Sequence, residues 1–166
     1  MSKKFLLFFA AGIGAVALGV AALLFFTRGE HIELEGSIQK VRTQAQADGS
    51  TLVVADFRFI NTSNYPFVVE SVTVSVVEPD GNAHEGFTVP EVDARRLFEY
   101  YPLLGQKYNE TLTLRTSVPP RASMDRMVAA RFELPEDRIK GRKELRIRVE
   151  DVEGPVSEIT EPPREQ

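Results

Sequence analysis

The chain has 166 residues, a formal net charge of −4 and no cysteine. So small a negative charge offers no general attraction to nucleic acid or to an anionic lipid surface. The absence of cysteine excludes thiol catalysis, disulfides, thiolate metal sites and a lipid anchor on Cys, so the fold must stand on packing alone.

Residues 1–4 are a short polar start, expected to be cytoplasmic. From Phe5 to Phe26 the chain runs for 22 residues without a charged or polar side chain, and 13 of these are Phe, Leu, Ile or Val. At helical rise such a run covers about 33 Å, against a hydrocarbon core of about 30 Å, so it is expected to be a transmembrane anchor. A cleaved signal peptide would have a shorter apolar stretch and a small-residue cleavage site, whereas this run ends Leu23-Leu-Phe-Phe-Thr-Arg-Gly29. Lys3 and Lys4 precede it, and Arg28 is followed closely by Glu30, Glu33 and Glu35. The nearest charges therefore put the N-terminus inside and the C-terminal domain outside the cytoplasm, periplasmic in a bacterium. Ala11, Ala15, Gly19 and Ala22 share one helical face, a candidate surface for helix packing or homo-oligomer formation within the bilayer.

After a linker at 27–30, residues 31–154 are expected to form one domain. Ile32, Leu34 and Ile38 alternate with polar residues, and Gly36 suggests a bend or bulge. Leu52 to Ile60 is rich in β-branched and aromatic residues and ends at the turn formers Asn61-Thr-Ser-Asn-Tyr-Pro66. Val72, Val74 and Val76 alternate with Thr73 and Ser75 up to the reversal Glu78-Pro-Asp-Gly81. Period two returns at Leu112 and Leu114, from Val128 to Leu134, and at Leu145, Ile147 and Val149. Six or seven short strands with turn signals between them predict an all-β fold, an immunoglobulin-like antiparallel β-sandwich preceded by the transmembrane helix. Two short helices are expected, Asp93 to Tyr101 and Pro135 to Lys140. Residues 155–166, acidic and carrying Pro162 and Pro163, are expected to be a flexible tail.

The order strand, Asn-rich turn with Pro, alternating valines over residues 52–77 resembles the immunoglobulin-like modules of the late-embryogenesis-abundant type 2 and water-stress (WHy) group. That resemblance implies a non-catalytic extracytoplasmic module and carries over no active-site residue. The group usually has Asn-Pro at the turn, whereas here Thr62 follows Asn61, and residues 87–108 look like an insertion.

Sequence signals for chemistry are sparse. His31 and His84 lie far apart and fit no metal-ligand spacing, and Asp80, Asn82, His84 and Glu85 lack the glycine and terminal glutamate of a calcium hand. No nucleophile elbow or phosphate-binding glycine loop occurs, so no cofactor and no enzymatic activity are expected. Asn61-Thr-Ser63 and Asn109-Glu-Thr111 fit the glycosylation acceptor rule and suggest that both turns are exposed. Phe87, Phe98, Tyr100, Tyr101 and Tyr108 crowd into the insertion and are the candidate partner-binding residues, since tyrosine supplies large contact area at small entropic cost. The bland alternative is that Val92, Leu97, Phe98 and Leu103 cap an open end of the sandwich. Residues 111–148 hold ten Lys or Arg against five acids. Arg138, Lys140, Arg142 and Lys143 among them are candidate contacts for an anion or lipid headgroup.

The expected function is a membrane-anchored, non-catalytic interaction module, an accessory subunit binding a protein partner beside the bilayer. The alternatives are a structural or stress-protective domain without a defined partner and an enzyme built on scattered carboxylates.

Overall fold

Strand β2, Thr51–Asn61, is the most deeply buried strand of the domain, and the computed structural model buries every residue from Thr51 to Phe57. A strand reads this way when both of its faces are covered. β2 sits between β1 (Leu34–Ala45) and β6 (Ser123–Phe132), antiparallel to both, with Ala55 opposite Val41 on one side and Val128 on the other. A second layer is made by β3 (Phe67–Val77), β7 (Glu144–Asp151) and β8 (Val156–Thr160). The chain crosses between layers through Asn61 to Pro66, the predicted turn. The structure describes residues 12–14, 16–22 and 33–162.

The two layers join at their margins into a flattened, nearly closed barrel. Strand β4 (Ala83–Thr88) forms a hairpin with β3 from Val74 to Val77, then leaves it to pair Phe87 and Thr88 with Arg131 and Ala130 of β6. At the other margin β1 touches β8 in parallel, with Ser37 opposite Thr160, and the Leu34 amide donates to Ser157 Oγ at 2.8 Å. β5 (Ser117–Val118) adds two residues beside the start of β3. Between the layers lie Phe57, Phe59, Phe67, Val69, Val74, Val76, Phe132, Leu145, Ile147, Val149 and Ile159, all buried, with the Phe57 and Phe59 rings stacked at 5.5 Å. The short helix α2 (Glu136–Lys140) adds its buried Ile139 to this cluster.

Several expectations change. β1 continues past Ile38 to Ala45, and its bulge falls between Ile38 and Lys40 instead of at Gly36. The extra residue reverses the side-chain parity: Leu34 and Ile38 point inward before it, Val41 after it, so that Lys40 and Arg42 face outward. Gly36 serves a close approach, since a Cβ there would lie 2.8 Å from Phe59 Cα and closer still to the Arg58 carbonyl oxygen. Leu112 to Leu114 is not a strand; only Thr111 makes an isolated parallel bridge, to Met127. Residues 156–160, expected in the tail, form β8, held by pairing with β7 and by burial of Ile159.

The chain divides into two units, Met1–His31 and Ile32–Gln166. In the first, residues 12–14 and 16–22 are helical and exposed, Gly19 and Ala22 of the expected packing face among them. Among the described residues no helix is long and apolar enough to cross a membrane. Most of the expected span, with Ala11, Ala15 and the orientation charges Lys3, Lys4 and Arg28, lies outside the described residues.

Candidate functional site

The insertion between β4 and β6 is built from a clear local pattern. Pro90 opens α1 (Glu91–Tyr100), and Glu91 and Asp93 in its first turn suit the partial positive charge of a helix start. Ala94, Leu97, Phe98 and Tyr101 follow at helical spacing, and Pro102 ends α1 by starting a 3-10 turn, Pro102–Leu104. These four residues and Leu104 pack with Leu52, Val54, Met127 and Ala129 in a second apolar cluster, on the outer face of β2 and β6. The insertion therefore covers a sheet face and does not cap an end of the sandwich. Of the residues expected in such a cap, Leu97 and Phe98 do pack inward, whereas Val92 and Leu103 stand exposed.

A charge pair clamps the far half of the insertion. The bulge in β1 turns Arg42 outward, where its Nη2 donates to Asp56 Oδ2 at 2.6 Å and its Nη1 donates to the carbonyls of Leu104 and Gln106, both at 2.7 Å. Asp56 Oδ1 accepts from Asn109 Nδ2 at 2.9 Å. The Arg42 guanidinium lies 5.1 Å from the Phe98 ring centroid and 5.2 Å from that of Tyr108, and Lys40 Nζ lies 4.9 Å from Tyr108. Two backbone carbonyls, a carboxylate and two rings thus hold one arginine fork whose side chain is only 9% exposed. Arg favours such a place because its planar donors fit several acceptors at once. Sequence reasoning passed over Arg42 and Asp56, although an acid in the middle of Leu52-Val-Val-Ala-Asp-Phe was a signal that something polar had to meet it.

The five aromatic candidates consequently separate. Phe98 and Tyr101 pack toward the sheet, while Phe87, Tyr100 and Tyr108 are exposed. Tyr100 is 76% exposed and Leu103, beyond it on the 3-10 turn, 88%. These two project from a segment whose other side is fixed to the sheet.

The cationic candidates are largely occupied inside the domain. Arg138 donates from Nε to Glu78 Oε1 at 2.9 Å and from Nη2 to Glu78 Oε2, which His84 Nε2 also meets at 2.9 Å. Arg138 above all, and then His84, hold the Glu78 carboxyl below its ordinary range. Lys140 Nζ is 3.0 Å from Glu136. Arg142 is buried, bound to Glu161 at 2.8 and 2.5 Å and to the Ile139 carbonyl at 2.8 Å. Lys143 has an exposed side chain, and its amide closes a bond to Val77. A headgroup would have to displace internal carboxylates from three of the four.

The other polar signals are structural. Asp80 caps its own turn by accepting from the Asn82 amide and side chain, and His84 turns to Glu78. Among the described residues no group of three or more His, Asp or Glu is arranged to hold a metal; His31 lies outside them. Of the two turns expected to be exposed, the first does expose Asn64, Tyr65 and Pro66 and the second Glu110, but neither triplet exposes its asparagine. Asn61 is fully buried, donating to the carbonyls of Tyr65 and Val118, and the half-buried Asn109 is tied to Asp56.

No protein-family model matches the chain, and no curated protein does. Among solved structures, an uncharacterised β-sandwich protein from Clostridium difficile 630 is similar at 12% identity and a TM-score of 0.38, over 76% of this chain and 84% of that one. By its own strand order and register the chain is a mostly-β, sandwich-like protein.

Proposed function

We propose that this protein is a non-catalytic interaction module in which the α1 and 3-10 insertion presents Tyr100 and Leu103 to a protein partner. The observation that carries the proposal is the clamp: Arg42 and Asp56 fix the inner side of an insertion whose outer side leaves two large apolar residues in water. Holding a loop in one conformation lowers the ordering cost of binding, and exposed aromatic and aliphatic anchors supply contact area. The immunoglobulin-like topology belongs to the same proposal. It is supported by the order β1-β2-β6-β4 in one layer and β8-β7-β3 in the other, which parallels the ABED and GFC sheets of that fold. Membrane attachment through Phe5 to Phe26 is supported by the length and apolarity of that run, and placement of the domain outside the cytoplasm by Lys3 and Lys4 before it and the acids after it.

The double substitution Tyr100→Ala, Leu103→Ser separates binding from folding. A partner recovered by affinity purification from gently solubilised membranes should be lost, with the melting temperature unchanged. Retention of the same partner by the double variant would rule this surface out. A protective domain that works without a partner, as the WHy resemblance implies, would give no partner band that depends on residues 100 and 103.

A further inference from the structure

The side of α1 that packs on the sheet, with Ala94, Leu97, Phe98 and Tyr101, fixes what its opposite side must be. At about 3.6 residues per turn, Val92, Arg96 and Glu99 fall on that opposite side, and Leu103 continues the line on the 3-10 turn. Steps of four, three and four residues are the spacing of a helix seam that packs on another helix. All four residues are exposed, Val92 at 65% and Leu103 at 88%. The ends of the line are apolar and its middle is charged. Arg96 and Glu99 are near enough on one helix to pair, yet neither joins an ion pair among the described residues.

The order of these side chains selects the occupant. Read backwards, the line is apolar, acidic, basic, apolar, so a second α1 laid antiparallel sets Val92 against Leu103 and Arg96 against Glu99, each contact made twice. Building on the reading of the insertion as a docking surface, we propose that it joins two copies of this chain in a two-fold, antiparallel pairing of their α1 helices. Asp93 and Tyr100 share one flank of the line, so each Tyr100 hydroxyl reaches toward the partner's Asp93. An anionic lipid surface fits worse, because Glu99 stands in the middle of the line and Asp93 beside it. A partner of a single charge sign would leave either Arg96 or Glu99 facing its like. One short helix and a turn bury less than the roughly 1,200 Å² at which stable interfaces begin, so the dimer is weak, with a Kd on the order of 100 µM.

The experiment is sedimentation of the full-length protein in mild detergent over a concentration series, with charge reversals at the two exposed positions. The parent chain should pass from monomer to dimer. Arg96→Glu and Glu99→Arg should each weaken the dimer about tenfold, because like charges then meet twice, and each should leave the melting temperature unchanged. An equimolar mixture of these two variants should associate as the parent does, since every charged contact between unlike chains is again of opposite sign. The double variant Arg96→Glu, Glu99→Arg should do the same. Because the chain has no cysteine, Val92→Cys and Leu103→Cys report the register without background. Under mild oxidation their mixture should form the mixed disulfide in preference to either homodimer. A dimer indifferent to the reversals, one that neither combination rescues, or a preference for the homodimer disulfides would overturn the proposal. A protein that stays monomeric while position 103 captures a different protein in membranes would overturn the dimer and keep the docking surface. A monomer that captures nothing there would overturn both.

Discussion

On its inner face the β1–β2–β6 layer buries Phe57, Phe59, Val128 and Phe132 among the side chains of β3 and β7, whereas its outer face buries Leu52, Val54 and Met127 under one helix and a turn. The first burial is made by two layers that share backbone pairings at their margins and needs no polar contact at its centre. The second depends on a segment of some twenty residues with little strand pairing of its own, and the Arg42–Asp56 pair closes it. Nonpolar packing spreads its stabilisation over many small contacts, while a buried ion pair concentrates it in a few bonds that fail together. The inner face therefore governs whether the domain folds, and the outer face governs whether the insertion stays in register with the sheet.

This comparison breaks most visibly at Phe57. Phe57→Ala should cost about 3–5 kcal/mol in a denaturation experiment, because a large cavity opens in the inner core. Asp56→Ala should cost about 3 kcal/mol, since Arg42 stays buried with its carboxylate gone. Its signature should be regional: hydrogen exchange should accelerate at 104–109 well before the β3 and β7 amides respond. Uniform acceleration would show that the outer face is as integral as the inner one. Gly86→Ala should cost about 1–3 kcal/mol, because a Cβ there would meet the Phe132 ring at 2.7 Å where β4 crosses between layers.

The smallest effect should come from a surface carboxylate. Hydrogen bonds from the Ser50 hydroxyl and backbone amide, followed by the bond from Arg131, hold the Asp48 pKa down to about 2. A depressed carboxyl pKa contributes stability that is present above the ordinary value of 3.8 and is lost as pH falls through about 2. Asp48→Asn should therefore lower stability slightly at neutral pH and flatten the acid side of the profile, the difference from the parent protein vanishing as pH falls through about 2.

The strands of the inner core were legible in the sequence because their side chains obey a period of two. Val72, Val74 and Val76, and likewise Leu145, Ile147 and Val149, announce a half-buried strand without help from tertiary structure. β4 was not legible, because Ala83-His-Glu-Gly-Phe-Thr88 owes its strand geometry to two neighbours and buries only Gly86. Nor was β8, where Ser157 and Ile159 are the buried residues and the flanking acids suggested a tail. The second half of β1 was obscured by its bulge, which breaks the alternation that would have revealed it. In the insertion, Asp93 as a helix-start residue and Pro102 as a terminator foretold a helix, and the structure places it at Glu91–Tyr100. What the helix would meet depended on Arg42 and Asp56, which lie fourteen residues apart on neighbouring strands and become partners only through register.

A photo-crosslinking residue placed at position 103 and, separately, at Glu158 on the exposed face of β8 gives the most direct measurement of the proposed display surface. In native membranes, position 103 should yield one dominant protein adduct that the Tyr100→Ala exchange weakens, and position 158 should not. Equal or absent adducts at the two positions would contradict the claim that the clamped insertion is where this protein meets its partner.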